Sequence, residues 1–576
     1  MFNFNKKTTI PVIKATQSLQ PVVTTNDFND VYERQAYHGP KPTVLLILDG
    51  YGVGPENAGN AVKRAQKPNL DNFWLTFPHT QLEASGESVG LPHGEPGNTE
   101  TGHLNIGAGT IVYQDLPRIN TAIADGSFYS NPAFIRAADH VQKNNSVLHI
   151  IGLIGMGGVH SSIEHLYALL NLAKQRNITK VYIHGFTDGR DSPPKSSANY
   201  VKQIQNKCQE IGVGRLASLM GRYYAMDRDK RWERIQKAYA ALTQGSQLTT
   251  TDASKAIQEQ YDNGLTDEFI EPISILDETG KPLTIAENDA VIFFNYRIDR
   301  PRELTRAFTQ PDFESGANSD DFDPYALKYE KSYLKEHPKT QTFQRPVAFS
   351  NLYFVTMTRY EKSLPVDVAF PPQMIDNPLC KVLADRGLKQ LRMSETEKER
   401  FVTYYMNGQS TDQYPGEDRV IMPSKGAKSY DEIPEMSARE LGDEAIKRIQ
   451  SEDYDAIIIN FANADMIGHT GNIEAAIRGI EILDEIVGKI VQEVYSRGGL
   501  VLITADHGNA EEMINTQTGG VDTEHSRYPV PLIIINEKFA GQSRMLPTGI
   551  LADIAPTMLS LMGITKPDSM TGRVLI

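Results

Sequence analysis

Val44-Leu45-Leu46-Ile47-Leu48-Asp49-Gly50 runs five branched apolar residues straight into a carboxylate and a glycine. Alternation would mark a strand with one wet face; an unalternating run marks a strand buried on both faces, central in a parallel sheet. The pattern returns four times. Val181-Tyr182-Ile183 leads to Asp188-Gly189-Arg190-Asp191, and Val291-Ile292-Phe293-Phe294 leads to Arg297 and Arg300. Ala456-Ile457-Ile458-Ile459 leads to Asp465 and His469, and Leu500-Val501-Leu502-Ile503 to Asp506 and His507. Open α/β sheets bind ligands just beyond the carboxyl ends of their strands. Each run therefore delivers a charged or metal-binding side chain to that edge.

Between the last two runs, Ile473, Ala476, Ile477, Ile480, Leu483, Val487, Ile490 and Val494 repeat at three- and four-residue steps. This predicts an amphipathic helix from Ile473 to Tyr495, with Asn472 as N-cap and Gly498 as terminator. Strand, helix, strand predicts a right-handed parallel crossover. From Phe308 to Pro346 acids, lysines and prolines outnumber apolar positions, which reads as a surface insertion or interdomain connection.

A chain of 576 residues can hold more than one core. A net charge of −14 argues against nucleic acid or an anionic membrane as partner, and no apolar run has the length of a membrane span. Cys208 and Cys380 have no metal-type spacing and fit a reducing compartment. The first 26 residues carry Lys6, Lys7 and Lys14, no acid, no arginine and no apolar signal core. Residues 1–42 are expected to form a flexible N-terminal extension of a cytoplasmic protein.

Asp49, Asp465, Asp506, His469, His507 and His525 are three carboxylates and three imidazoles, a natural complement for two divalent ions. Mixed nitrogen and oxygen ligands suit manganese or zinc better than calcium. Any one of them alone reads as a helix cap or a satisfied core group. Six at the ends of strands sharing one sheet edge point to a metal centre. Thr99, in Pro96-Gly97-Asn98-Thr99-Glu100-Thr101-Gly102-His103, is the candidate nucleophile, since a divalent metal lowers a hydroxyl's pKa. Its bland alternative is a helix N-cap. Arg190, Arg222, Arg228, Arg297 and Arg300 offer five planar forks for phosphate or carboxylate, or else form surface ion pairs with the acids beside them. Lys398, in Glu395-Thr396-Glu397-Lys398, passes for a surface charge on a helix.

From about Thr43 to Ile576 the chain resembles the cofactor-independent (2,3-bisphosphoglycerate-independent) phosphoglycerate mutases of the alkaline-phosphatase-like superfamily. The resemblance is carried by Leu48 to Gly52, Gly102 to Gly109, Gly157 to Ser161, Asp188 to Asp191, Gly221 to Arg228, Glu395 to Lys398, Pro415 to Arg419, Asn463 to His469 and Thr504 to Glu511. It implies an α/β fold: an alkaline-phosphatase-like, mainly parallel sheet flanked by helices, with an inserted second α/β transferase domain. The metal-binding domain would comprise residues 43–114 and 372–576, and the substrate-binding domain residues 115–371. One metal would be held by Asp465, His469 and His525, the other by Asp49, Thr99, Asp506 and His507. Manganese is the expected ion, with magnesium, cobalt or zinc as alternatives and no organic cofactor. His160, Arg190, Asp191, Arg222, Arg228, Arg297, Arg300 and Lys398 would bind phosphoglycerate, with Thr99, Asp191, His160 and Lys398 catalytic, in a monomer.

Departures accompany the match. The family's usual nucleophile is serine, and the added methyl of Thr99 restricts its rotamers. Gly155-Met156 stands where the family has Ser-Asp, Phe401 where it has histidine, and Asp522, Arg527 and Tyr528 deviate around His525. Two rivals share the metal ligands: a phosphomonoesterase or other phosphosugar mutase, and a catalytically dead regulatory homologue.

Overall fold

The structure, a computed structural model, describes residues 20–27, 37–316 and 342–576. It divides into two compact units, one containing the described residues up to Val89 together with His93–Val112 and Ile375–Ile576, the other Gly90–Pro92 and Tyr113–Met374.

The first unit is built on a nine-stranded sheet. Its centre is Thr43–Leu48, flanked in parallel by Ala456–Phe461 and Leu500–Thr504, and every residue of the three strands is buried. The unalternating sequence follows from this, because both faces are covered by other elements. Gln390–Glu395 and Glu417–Met422 continue the sheet in parallel on one side. On the other, Val530–Ile535 runs antiparallel to both Leu500–Thr504 and His79–Glu83. Truncating a fully buried strand residue such as Leu46 to alanine costs about 2–5 kcal/mol, transfer and cavity together.

The long helix spans Ile473–Ser496, with the Asn472 side chain accepting from the Ala475 amide as its cap. Its buried stripe (Ala476, Ile480, Leu483, Val487, Ile490, Val494) makes the connection between Ala456–Phe461 and Leu500–Thr504 a parallel crossover spanning the central strand. One expectation is corrected. Val22–Thr24, inside the stretch read as a flexible extension, pairs antiparallel with Arg419–Ile421 as an edge strand. Two valines and a threonine favour extended backbone, and the open edge of Glu417–Met422 supplies the missing partners.

The second unit has an eight-stranded sheet with the consecutive strands Tyr353–Thr358, Ala290–Phe293, Leu148–Ile154, Val181–Thr187 and Arg215–Gly221 all parallel. Separate apolar clusters cover its two faces, one containing Ile150, Ile183 and Ile292, the other Ile151, Phe186 and Phe293. Of the stretch read as an insertion, 317–341 lie outside the described residues. Its flanks are packed: Phe313 and Phe343 are buried, and Arg345 ion-pairs with Glu314. Among the described residues no helix is long and apolar enough to cross a membrane.

Candidate active site

Asp49, Asp465 and Asp506 meet because their three strands are neighbours in nearly flush register, Phe461 opposite Leu48 and Thr504 opposite Ile47. Asp49 follows its strand directly. Asp465 lies in the short helix Asn463–Gly468, its amide donating to the Asp49 carbonyl at 3.0 Å. Gly50, at φ 75°, lies so close to this helix that a Cβ would sit 2.6 Å from Asp465 Cα. Any larger residue there would push the two carboxylates apart.

Three imidazoles close the site with one shared orientation. His469 Nδ1 donates to the Thr523 carbonyl at 2.8 Å, His525 Nδ1 to Gly97 at 2.8 Å, and His507 Nδ1 to Gly508 at 3.1 Å. With each Nδ1–H committed to a carbonyl, the lone pair of the neutral ring is on Nε2, aimed at the carboxylates. The Nε2 atoms of His469 and His525 are 3.1 Å apart and lie 3.2 and 3.3 Å from Asp465 Oδ1. Although Asn509 Nδ2 also donates to Asp465 Oδ1 at 3.0 Å, with both rings neutral these are three converging acceptors, an arrangement that a cation or a ring proton must complete. Their spacing matches the ~3.3 Å edge of a tetrahedron with bonds of ~2.0–2.1 Å. The residues present therefore fit divalent metal. Ligand atoms of Asp465, His507 and His525 lie within 4.8 Å of one another, as do those of Asp49, His103 and Asp506.

The electrostatics agree. Burial pulls the His507 imidazole down, but Asp506, Asp49 and Asp465 outweigh it and hold its pKa up at about 10. Burial would raise the carboxyl of Asp465, yet Lys398 and the surrounding histidines hold it well below its usual range. This is a field that attracts positive charge.

Thr99 is the first residue of the helix Thr99–Ala108, and Asn98, accepting from the Thr101 amide, is its cap. The capping role is thus filled by the neighbour. Thr99 Oγ1 lies 3.0 Å from His507 Nε2, 3.2 Å from Lys398 Nζ and 3.4 Å from Asp49 Oδ1, at the positive end of the helix dipole.

Lys398 overturns its reading as a surface charge. It is 3% exposed, and its ammonium donates to Asp49 Oδ1 at 2.8 Å and to Asp465 Oδ2 at 2.7 Å. Phe401 begins a π-helical turn to Tyr405, its ring centroid 5.3 Å from that ammonium and its face stacked on Tyr405. An aromatic here faces the cation without competing for the carboxylates.

The site also contains two residues given no role above. His103 Nδ1 donates to the Thr99 carbonyl at 2.9 Å, and its Nε2 accepts from Asn460, which also donates to Asp49 Oδ2 at 2.8 Å. The signals were a histidine one helical turn after Thr99 and an asparagine ending an isoleucine run.

The arginines belong to the second unit, at the carboxyl ends of its parallel strands. Arg222 follows Arg215–Gly221, is 3% exposed, and donates to Asp188 Oδ1 at 2.6 Å, Asp191 Oδ2 at 2.5 Å and His160 Nε2 at 2.8 Å. Burial and the Arg222 charge push His160 down to about 3, so it is a neutral acceptor at this nitrogen. Asp299 receives Arg228 at 2.8 Å and Arg297 at 3.0 Å, while Arg190 is clamped on Glu268. Arg300 donates to the Met226 carbonyl, and burial with Arg222 and Arg228 pulls its guanidinium down to about 10. The acids beside the arginines do pair with them, yet Arg222 and Arg300 are not surface groups. At Gly155 a Cβ would meet Ser192 Oγ at 2.8 Å and Asp188 Oδ2 at 3.5 Å, so the space of the family's serine is taken by Ser192.

The family model described as BPG-independent PGAM N-terminus matches residues 119–362, and the one described as Sulfatase matches residues 315–564. A 2,3-bisphosphoglycerate-independent phosphoglycerate mutase of Moorella thermoacetica is 47% identical over 537 residues, covering 93% of this chain and 98% of that one. That of Chloroflexus aggregans is 47% identical, covering 93% and 99%. Among solved structures, Leishmania mexicana phosphoglycerate mutase at low cobalt concentration aligns with a TM-score of 0.54 and 28% identity, over 97% of this chain and 99% of that chain.

Proposed function

This chain belongs to the 2,3-bisphosphoglycerate-independent phosphoglycerate mutase family, and from that premise we propose that it interconverts 3-phosphoglycerate and 2-phosphoglycerate through a phosphoenzyme on Thr99. The observation that carries this reading is the Thr99 hydroxyl set between His507 Nε2 and Lys398 Nζ at a helix N-terminus. Asp465, His469 and His525 would hold one divalent ion and Asp49, Asp506, His507 and Thr99 the other, manganese by preference for their mixed donors. Bound there, such ions lower the pKa of a hydroxyl and neutralise phosphoryl oxygens.

The chain's own groups do the rest. Thr99 Oγ1 releases its proton to water and attacks phosphorus; the bond to the 3-oxygen breaks and the phosphoryl group rests on Thr99. Lys398 neutralises charge on the phosphoryl oxygens in flight. Arg190, Arg222, Arg228, Arg297 and Arg300, in a unit proposed as the substrate-binding one, hold the glycerate by its charged groups. Asp191, the more exposed acid beside Arg222, and His160 move protons to the 3-oxygen and from the 2-oxygen. The 2-oxygen then takes the phosphoryl group back from Thr99.

Purified protein with manganese and 3-phosphoglycerate, free of 2,3-bisphosphoglycerate, tests the reading. Formation of 2-phosphoglycerate supports it. Release of inorganic phosphate alone assigns a phosphatase instead.

A further inference from the structure

Two carboxyl groups that the proposed reaction does not use are buried together beside the arginines of the second unit. Asp227 and Glu303 are each no more than 4% exposed, and their carboxyl groups lie against one another. Asp227, one residue before Arg228, has a donor on each oxygen. Its Oδ2 accepts from the Asp229 and Arg231 amides at 3.0 and 2.9 Å, and its Oδ1 from Arg234 Nη1 at 3.2 Å. Glu303 Oε1 accepts the amide between those two, that of Lys230, at 2.8 Å. Lys230 stands at φ 58°, a left-handed backbone that a lysine keeps only where its surroundings enforce it. Glu303 Oε2 is buried and receives no hydrogen bond from any described residue. An ionised oxygen without a donor is costly at that depth, whereas a protonated one becomes a donor itself. Two touching carboxyl groups cannot both ionise cheaply, so one proton serves the pair.

We infer that Glu303 is a positioning residue of the arginine site: as a neutral acid it donates from Oε2 to Asp227 while Oε1 holds the Lys230 amide, which fixes the turn from Met226 to Arg231. That turn sets Arg228 on Asp299 at 2.8 Å and presents the Met226 carbonyl to Arg300 at 3.1 Å. Those two arginines hold the glycerate in the proposed reaction, on which this role rests, so a loosened turn weakens substrate binding and spares the chemistry at Thr99. Burial and the Asp227 charge push the Glu303 carboxyl up to about 8, against the Lys230 amide and the Arg306 charge. Arg306 is itself paired with Glu361 at 2.8 Å, and Arg234 with Asp227. Above that pH the pair carries two charges and the turn loses the hydrogen bond between them.

The test compares the manganese-loaded full chain with Glu303→Gln, whose amide makes both hydrogen bonds at every pH. Infrared difference spectra should show a carboxylic-acid carbonyl band that the parent loses near pH 8 and the variant lacks. Subtracting the variant removes the contribution of Glu395, which burial holds at about 7. Amide exchange across residues 227–231, read by mass spectrometry, should match in the two proteins at pH 7 and be about tenfold faster in the parent at pH 9.5. KM for 3-phosphoglycerate should rise about tenfold in the parent over that range and stay level in Glu303→Gln, with one kcat profile for both. Glu303→Leu, which can neither donate nor accept, should show the raised KM already at pH 7. A parent without the band, or a band that Glu303→Gln leaves in place, overturns the proposal. So do exchange rates or KM profiles that coincide in parent and Glu303→Gln throughout. A chain that turns over no 3-phosphoglycerate fails as a mutase only; the band and the exchange rates still decide whether Glu303 fixes the turn.

Discussion

The Thr99 hydroxyl stands 3.2 Å from the Lys398 ammonium, within hydrogen-bond reach. In the proposed mechanism a lysine buried among carboxylates at that distance would stabilise an alkoxide, and later a phosphoryl group, without itself giving up a proton. Burial alone would lower its pKa, but Asp465, Asp49 and Asp506 raise it above the ordinary lysine range. In that mechanism it would serve as a fixed charge.

Thr99→Ala should therefore remove both turnover and the phosphoenzyme, with a loss of about a thousandfold or more in kcat. Thr99→Ser restores the hydroxyl and should stay within about tenfold of the parent. Mass spectrometry of acid-quenched protein reads the phosphorylated residue directly. A phosphopeptide that persists in the alanine variant would remove Thr99 from the mechanism.

Lys398→Met keeps the stem and deletes the charge. Loss of a preorganised cation at the transferring group should lower kcat about 10²–10³-fold, with a smaller change in KM. In chelator-treated protein the same change leaves Asp49 and Asp465 buried without their partner, and the unfolding free energy should fall by about 3–5 kcal/mol. Urea unfolding with and without chelator separates the two effects.

His469→Ala removes one of the two Nε2 atoms that face Asp465. Bound manganese, counted after gel filtration, should fall from two ions per chain to one, with chelator abolishing activity in both proteins. Unchanged stoichiometry in the variant would contradict the assignment of His469 as a ligand.

His165 gives a pH dependence away from the metals. It is buried in the second unit with Nε2 on Asn120 Oδ1, and burial pulls its pKa from 6.5 to about 3. The folded state keeps it neutral while the unfolded chain binds a proton below pH 6.5. Its contribution is therefore complete above that value and is lost as pH falls from about 6.5 towards 3. At pH 5 the loss is about 2 kcal/mol, at ~1.4 kcal/mol per pH unit. His165→Gln should flatten the stability profile between pH 7 and 5 by that amount; an unaltered slope would mean the ring takes a proton in the fold.

How much of this was legible in sequence depended on whether the signal was local. Val44 to Leu48 and Leu500 to Thr504 announced themselves, because burial on both faces leaves no room for a polar residue. Asp49, Asp465 and Asp506 followed, since a charge after such a run has one place to go. Asn472 and the Ile473 helix were equally plain. Lys398 was legible only through the family resemblance: Glu395, Thr396 and Glu397 around it read as solvated surface, and the distant Asp49 and Asp465 explain its burial. Arg190 and Arg222 looked alike as residues, yet one is half exposed on Glu268 and the other is enclosed by Asp188, Asp191 and His160. Val22–Thr24 owes its strand to an edge four hundred residues away by sequence, which no window of local pattern contains.

Asp49 and Asn460, hydrogen-bonded across adjacent strands, are 411 residues apart in the chain. At ~5–20 residues per second, a ribosome takes roughly 20–80 s to supply the second after the first. For that interval Val44 to Leu48, an apolar strand, has neither neighbour to pair with, while the entire intervening unit can complete its own core. The nascent chain therefore exposes an apolar segment early and completes the carboxylate cluster last. The strand at residues 43–48 thus waits for the strands at 456 and 500 before its two sheet edges are paired.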